Sequence, residues 1–509
     1  MVPGAEHKHA LSRDLDSNLA QLERVMAIEE NFDIIKRELI IGGKKVALIF
    51  VDGLTNDEIV TLVLKHVLEL GDRDLSIDAF EKLFSRHLNF LEVNPAEYLE
   101  DIVNMVLSGP LVLLVDGSNR AIIMDARIYP ARSPDEPDLE KVVRGSRDGF
   151  TETLVFNTAL IRRRVRDSKL RMIYMQAGSR SKTDIIISYI EDIANPGLVN
   201  SIKEKVKHIK IDGLPMAEKA VEELITPGSY WNPFPRVRYT ERPDVAAMHL
   251  LEGHVLVLVD TSPSVIIAPS TFFHHLQHAE EYRQSPMVGA YLRWVRFAGI
   301  AISLLLLPLW LLFALHPGLL PPALAFIGPA EVGRVPLIVQ FLIAELAIDM
   351  VRMSTIHTPS PLATGIGLIA ALLIGDIAIT VGLFAPEVVM YIAAAAIGTF
   401  LTPSYELSLA IRLVRIGLLV LVAAFSWVGL LVGLGAFIVS LAFMRSFGVP
   451  YLWPLIPLNF KALLSVLIRA PVPITNTRPG ILHPQDPDRQ VLAGAAHKPW
   501  RPGRGKKKK

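Results

Sequence analysis

The sequence predicts an α/β soluble N-terminal region made of two related subdomains, followed by an all-α polytopic membrane domain. Charge is the first observation: of the 52 Lys and Arg and 51 Asp and Glu residues, only 13 lie in 297–470. The same part contains several uncharged apolar stretches of about the 20 residues that span a bilayer as a helix. The third observation is a strand pattern that occurs twice within the first 275 residues.

The N-terminal region begins with a polar lead-in, residues 1–30, which lacks the apolar core of a secretory signal. KVALIFVDG at 45–53 and PLVLLVDGSNRAIIMDA at 110–126 predict buried strands that end in Asp-Gly turns. Between them, TNDEIVTLVLKHVLEL opens with helix-capping residues and has the apolar spacing of a helix. These signals predict strands alternating with helices.

The strand pattern recurs with an offset of 144 residues. GPLVLLVDGSNRAII at 109–123 and GHVLVLVDTSPSVII at 253–267 share seven identical positions. Any two β-hairpins can share such alternation, but the identities favour two related subdomains, residues 31–150 and 151–275.

The membrane domain is predicted at 290–470. Four long apolar stretches can each span a bilayer: 297–315, 362–385, 388–405 and 416–444. A fifth segment, 336–352, is shorter and charged at one end, so it is predicted to be a partial or re-entrant helix.

Orientation follows from the basic residues. Arg293 and Arg296 place the start of the first span inside. The end of the tail, RPGRGKKKK at 501–509, is also expected inside, which requires an even number of crossings. Four crossings satisfy this count. A second count lets 336–352 cross and splits 416–444 into a hairpin.

Residues 471–509 contain seven prolines and no apolar periodicity, which predicts a disordered basic tail. Its lysine cluster favours contact with anionic lipid, although it is equally compatible with a soluble chain end.

Few patterns point to chemistry at a site. The chain has no cysteine, which excludes disulfides and thiol catalysis. HHLQH at 274–278 is not accompanied by a carboxylate pair in a metalloprotease arrangement, so no metal site is predicted there. The sequence has no Walker A motif, no nucleotide-binding glycine fingerprint and no G-x-S-x-G elbow. The Ser179-x-x-Lys182 spacing in GSRSK is better explained by a helix N-cap. The basic run IRRRVRD at 161–167 has no interleaved aromatics. We therefore expect no enzyme, no cofactor and no nucleic-acid partner.

Charged residues inside the apolar half are the main functional signal. Glu345, Asp349 and Arg352 fall within about 60° on one helix face, and Asp376 interrupts the stretch 362–385. Intramembrane charges of this kind mark either an ion pathway or an internal pair. A buried Asp349–Arg352 pair is one interpretation, but one arginine cannot neutralise all the carboxylates. The four residues are therefore candidates for lining an ion pathway.

Several long strings resemble the GerA family, the A subunits of spore germinant receptors. They are VRYTERPDVAAMHLLEGHVLVLVDTSPSVIIAP, YLRWVRFAGI, IDMVRMSTIHTPSPLATGIGLIAALLIGD and VLIRAPV. Within that family, RMSTIHTPSPL and LLIGD resemble a sporulation-protein branch more than the receptor subunits proper. The resemblance covers about 30–475. One departure is His254, where the family usually has arginine.

The resemblance implies a multi-pass protein of the spore inner membrane with its N-terminal region on the core side. It also implies a ring-shaped homo-oligomeric channel that acts in germination with other spore germination membrane proteins. Four residues of RYTERPD match the family linker, which implies that they couple the subdomains to the membrane domain: Arg238, Glu241, Arg242 and Asp244.

The expected function is an oligomeric channel for monovalent cations, because rings of carboxylates attract cations. A non-conducting receptor or scaffold subunit that organises other germination proteins is the alternative. A transporter is the third possibility, since broken apolar helices with Gly365, Gly367, Gly375 and Asp376 can hold a substrate site.

Overall fold

The computed structural model describes residues 8–489, apart from 72–74, 76–77, 89–91, 129–139, 227, 229–230, 321–325, 330–333, 358–366, 368–375, 470 and 472–475. The chain divides into two compact units. The sheet unit comprises Met1–Pro227, Val237–Pro269 and Pro471–Lys509, and the helical unit comprises Gly228–Arg236 and Ser270–Ala470. The main division therefore falls six residues before the expected boundary at 275.

The sheet unit contains two successive sets of elements in similar order. The first set consists of α1 (Leu15–Met26), β1 (Ile34–Ile41), β2 (Lys44–Val51), α2 (Asp57–Leu68), α3 (Ala79–Lys82), β3 (Val93–Ala96), α4 (Leu99–Ser108), β4 (Leu111–Val115) and β5 (Ala121–Met124). The second consists of α5 (Leu154–Arg164), β6 (Leu170–Ala177), β7 (Thr183–Ile190), α6 (Pro196–Lys207), α7 (Ala217–Ile225), β8 (Arg238–Thr240), α8 (Pro243–Glu252), β9 (Val255–Val259) and β10 (Val265–Ala268).

Each set forms one five-stranded sheet. The strand orders are β1-β2-β4-β5-β3 and β6-β7-β9-β10-β8, so the second order is the first one shifted by five strands. All paired strands are antiparallel, with Ile34 opposite Val51 in the first hairpin and Leu170 opposite Ile190 in the second. The central strands β4 and β9 are buried along their whole length because helices cover the sheets.

Equivalent hydrogen bonds show how far the repeat extends. An oxygen of Asp116 accepts from the backbone N–H of Leu15 at 3.4 Å, and Asp260 accepts from Leu154 at 3.3 Å. Each aspartate thus lies at the N-terminus of the first helix of its own set, where a negative charge is favourable. Helix α1 corresponds to α5 and its Leu22 is fully buried. The expectation that 1–30 is a separate lead-in is therefore wrong for α1, which belongs to the first core.

The two sets contact each other through a turn and an ion pair. Gly53 has φ +74°, and a Cβ there would lie 3.0 Å from the Cβ of Ala159 in α5, so glycine is required. Arg162 donates to both oxygens of Asp33, at 2.7 and 2.9 Å, and both side chains are fully buried. This bidentate pair joins the two sets across their interface.

Residues 476–489, here called the C-terminal strap, bind to the second set. The backbone N–H of Gln485 donates to Ile193 O at 2.9 Å, and Arg478 Nε donates to Leu251 O at 2.9 Å. Leu482 is buried. The prediction of a disordered tail is therefore wrong for the strap, whose order comes from main-chain acceptors rather than from apolar periodicity. The lysine cluster at 506–509 lies outside the described residues.

The described part of the helical unit contains one three-residue α-helical turn, Ala378–Thr380, and six longer α-helices. They are α9 (Ala279–Arg283), α10 (Pro286–Leu315), α11 (Leu337–His357), α12 (Pro386–Phe400), α13 (Tyr405–Phe443) and α14 (Phe460–Leu467). Within the described residues, α10 and α13 are long and apolar enough to cross a membrane, each with a mean hydropathy of 2.4. Helix α12 is apolar but shorter.

Helix α13 is not one straight rod. Ser426 has φ 58° and ψ −138°, which no helix accommodates. A Cβ on Gly433 would lie 2.6 Å from a methyl carbon of Leu418, whereas 15 residues of continuous helix would separate the two by about 22 Å. Residues 427–443 therefore fold back along 405–425. Treating 416–444 as one span was wrong, because uniform apolarity does not reveal a turn.

Helices α10 and α12 run in opposite directions. Ser303 and Thr399 share a hydrogen bond of 2.8 Å, while the rings of Trp310 and Tyr391 lie 5.3 Å apart. Close approach is possible because a Cβ on Gly398 would lie only 2.2 Å from the carbonyl oxygen of Gly299. Small residues at such crossings are typical of helices packed in membranes.

Helix α11 also runs opposite to α10. The ring of Phe341 lies 5.5 Å from that of Trp310, near the end of α10. Eleven residues later, Arg352 stacks on Tyr405 at the start of α13, 4.5 Å from the ring centroid. Helix α11 has 21 residues, a length of about 31 Å, which matches the hydrocarbon core of a bilayer.

Candidate functional site

Two arginines of the helical unit converge on Glu345 in α11. Its side chain is 2% exposed and accepts hydrogen bonds from two arginines of α13. Arg412 Nε donates at 2.9 Å, and Arg415 donates through Nε at 2.7 Å and Nη2 at 3.0 Å. The three-residue spacing places both guanidinium groups on one face of α13. A single carboxylate is thus held between two cations.

Arg415 extends this contact to two further helices. Its Nη1 donates to the carbonyl oxygen of Ser303 at 2.7 Å and to the Ser303 hydroxyl at 2.8 Å. The same nitrogen donates to Thr399 Oγ1 at 3.3 Å. Four helices, α10 to α13, therefore meet at one buried polar network, and each donor of this arginine has a nearby acceptor.

Asp349 has different surroundings from Glu345. It lies 2.5 Å from Arg412 Nη1, and its side chain is 41% exposed. We call Glu345, Asp349, Arg412 and Arg415 the charge cluster. Its two cations and two carboxylates sum to zero. The predicted stripe is thus not a set of equivalent acidic groups: Glu345 is enclosed and neutralised, whereas Asp349 also faces outward. Lining of an ion pathway by this stripe stays a prediction.

Sequence reasoning missed Arg412 and Arg415 as partners. Their spacing on an apolar helix was a usable signal. The pairing itself depends on how α11 and α13 pack, which periodicity does not reveal.

Asp376 is exposed in the single chain. Within the part of the chain that the structure describes, no ion pair involving Asp376 is present, and its carbonyl oxygen accepts from the Thr380 hydroxyl at 2.7 Å. The chain by itself therefore does not bury this carboxylate. Its expected position facing a pore stays a prediction.

A second carboxylate held by two arginines is that of Glu281 in α9, and both arginines lie in α10. Glu281 is fully buried, accepts from Arg293 Nε at 2.7 Å and pairs with Arg296. Arg293 also donates to the carbonyl oxygens of Ser465 and Val466 at the end of α14, where a cation is favourable. This contact fixes α14 beside the first turns of α10.

The RYTERPD residues lie in β8 and at the start of α8. Arg238 and Thr240 both contact the carboxylate of Glu140, and Arg242 donates to the carbonyl oxygens of Glu140 and Ser146. Arg242 also pairs with Asp244, and Glu241 O accepts from Phe150 N at 2.8 Å. These contacts bind the RYTERPD segment to residues 140–150, which connect the first set of elements to the second along the chain. Coupling to the membrane domain stays a prediction.

The histidines of HHLQH have local hydrogen-bonding roles. Nε2 of His275 lies 2.9 Å from the Ser270 hydroxyl, and Nδ1 of His274 accepts from the backbone N–H of Thr271. His278 accepts from the N–H of Glu280 at the start of α9. These bonds account for the presence of the three rings without a metal ion.

Comparison with known proteins places these features in a family. The family model described as Bacillus/Clostridium GerA spore germination protein matches residues 22–481. Stage V sporulation protein AF of Bacillus subtilis is 49% identical over 95% of this chain and 98% of its own length. Spore germination protein GerLA of Bacillus cereus is 31% identical over 93% of this chain and 97% of its own length.

A solved structure is also similar to the N-terminal part. It is the N-terminal domain of the A subunit of the Bacillus megaterium spore germinant receptor GerK3, at 26% identity and a TM-score of 0.40, covering 52% of this chain and 99% of that one. The relatives and the two candidate spans indicate a germination-related role at a membrane. The chain belongs to the GerA family of spore germination proteins.

Proposed function

We propose that this chain is a subunit of an oligomeric channel that passes monovalent cations across the spore inner membrane during germination. The observation that supports this most is the contrast between the acidic groups of the helical unit. Glu345 is neutralised within the chain, whereas Asp349 is partly exposed and Asp376 is exposed on otherwise apolar segments.

An acidic side chain that faces lipid is unfavourable by about 2.5–3.5 kcal/mol on insertion scales. A symmetric oligomer removes this penalty when the exposed carboxylates line a shared aqueous path. Repeated around an axis, Asp349 and Asp376 form rings of negative charge, which attract cations.

The proposed membrane topology has six crossings. Five come from α10, α11, α12 and the two halves of α13, and the apolar stretch 362–385 supplies the sixth by its sequence. The strap follows the helical unit in sequence yet belongs to the sheet unit. This assignment supports a topology in which both ends of the helical unit are on one side of the membrane, and such a topology has an even number of crossings. The core side is proposed from the basic residues before the first span.

Ion flux in liposomes tests the proposal. The purified, assembled chain in vesicles with a potassium gradient should pass the ion without any added substrate. Flux that requires a co-substrate would instead indicate a transporter, and an assembled oligomer without flux would indicate a receptor or scaffold subunit.

One observation supports the non-conducting alternative. The charge cluster is neutral overall, so within one chain its arginines and carboxylates can serve to hold four helices together. In that role the chain would organise other germination membrane proteins through its sheet unit, and its basic tail would contact anionic lipid.

A further inference from the structure

Three potential metal ligands meet at the end of α8. His249 and Glu252 lie in the last turn of that helix, and His254 follows the capping residue Gly253, which has φ +102°. One ligand atom from each of the three lies within 4.8 Å of the other two. Both histidines are buried. The glycine turn is what brings the third side chain back over the helix end.

The histidine nitrogens are spaced as a metal requires. The Nδ1 atoms of His249 and His254 lie 3.4 Å apart. Two nitrogens bound to one tetrahedral zinc ion at about 2.0–2.1 Å are separated by about 3.3–3.4 Å. The rings meet edge to face, 4.6 Å between centroids.

The electrostatic surroundings act on a bound cation in two directions, because Arg238 lies close enough to His254 and Glu252 to repel it. The group lies at the C-terminal end of α8, where the helix dipole attracts positive charge.

Two interactions compete with a metal. Arg489 of the strap lies 3.9 Å from Glu252, a loose pairing that a divalent ion would replace. Nδ1 of His254 lies 3.1 Å from the carbonyl oxygen of His249, so binding exchanges this hydrogen bond for a metal bond and moves the ring proton to Nε2.

We propose that His249, Glu252 and His254 form a binding site for zinc or a similar divalent transition metal, with water as the fourth ligand. A metal bound here lies beside the strap, whose Arg489 shares the same carboxylate.

The test is cobalt and zinc titration of the full chain in detergent after removal of metals with a chelator. One cobalt per chain should bind with a visible absorption band, and zinc should displace it. His254→Arg and His249→Gln should each weaken binding by at least the roughly 10–100-fold typical of losing a supporting contact to a metal site. Arg489→Gln, which removes the competing cation, should tighten binding.

His208→Asn is the matched control, because His208 is an exposed histidine of the same unit. Its binding curve should equal that of the unchanged chain. Thermal unfolding in chelator shows whether each variant is folded, and Glu252→Gln provides a third ligand variant. The proposal is overturned if folded His249 and His254 variants keep full affinity, or if Arg489→Gln weakens binding.

Discussion

Glu345 and Asp349 lie one helical turn apart and have different neighbours. Glu345 is enclosed between Arg412 and Arg415, whereas Asp349 has one arginine and partial exposure. Glu345→Gln leaves two buried guanidinium groups without their shared carboxylate, which should destabilise the helical unit by about 3–5 kcal/mol. Thermal unfolding and oligomer yield in detergent measure this effect.

Rescue distinguishes a structural role for Glu345 from a role in conduction. Replacing Glu345, Arg412 and Arg415 together by methionine removes the stranded charges and should restore much of the lost stability. A single Glu345→Gln variant that assembles with unchanged stability would contradict the structural role.

Asp349→Asn should have a smaller effect on stability than Glu345→Gln, because water still reaches the side chain and a partly exposed pair contributes little. Assembly should survive. The comparison of unfolding temperatures between the two single variants checks this ordering, and equal losses would show that the two carboxylates are structurally equivalent.

The sequence identified some residues of the charge cluster but not all of them. Glu345, Asp349 and Arg352 were found because charges are rare in apolar stretches, and that rule acts locally. The partners Arg412 and Arg415 lie 67 and 70 residues after Glu345, and helix packing decides which side chains meet. His254 was noticed only as a departure from a family pattern.

Among the elements, the crossing of α10 and α12 depends on glycine. A Cβ on Gly398 would overlap the carbonyl oxygen of Gly299, so the two backbones touch. Gly398→Val should separate the helices and destabilise the unit by about 1–3 kcal/mol, as overpacking does. Gly417→Ala is the control, since nothing lies within 4 Å of its Cβ position. Equal thermal stability of both variants would contradict this packing.

The elements of the sheet unit were more predictable than those of the helical unit. Strands at 45–53 and 110–126 were expected and β2, β4 and β5 occupy these places, since alternation and Asp-Gly turns are local signals. The four-crossing count does not predict the turn at Ser426, because the residues around it are as apolar as those of a continuous span. The close approaches of Gly433 to Leu418 and of Gly429 to Leu421 show the reversal.

For the whole molecule, the six-crossing and four-crossing topologies make opposite predictions about the side of the membrane on which each of two positions lies. With six crossings, Leu383 lies on the membrane side away from the sheet unit, and Pro403 lies on the side of the sheet unit. With four crossings, Leu383 and Pro403 exchange sides. The chain contains no cysteine, so Leu383→Cys and Pro403→Cys each provide a single thiol. A membrane-impermeant reagent applied to oriented vesicles should label them from opposite faces in the six-crossing pattern. The reverse pattern would restore the four-crossing count.

We expect Arg478 to hold the strap on the second set of elements. Arg478→Gln removes a donor to Leu251 O and the pair with Asp486. The strap should then become more sensitive to protease while the sheet unit remains folded, because loop segments with few apolar contacts open locally. Limited proteolysis at the C-terminus measures this, with Arg180→Gln, an exposed arginine, as control. Equal cleavage rates would mean that the strap does not rest on this contact.

We expect cation conduction through an oligomer lined by Asp349 and Asp376, and this is measured as the reversal potential of the assembled chain in a planar bilayer. Under a potassium chloride gradient the unchanged chain should show a cation-selective potential. Asp349→Asn and Asp376→Asn should each shift it toward zero, while Glu81→Gln, an exposed charge of the sheet unit, should leave it unchanged. An assembled oligomer without current, or a potential that is the same in all variants, would contradict the account.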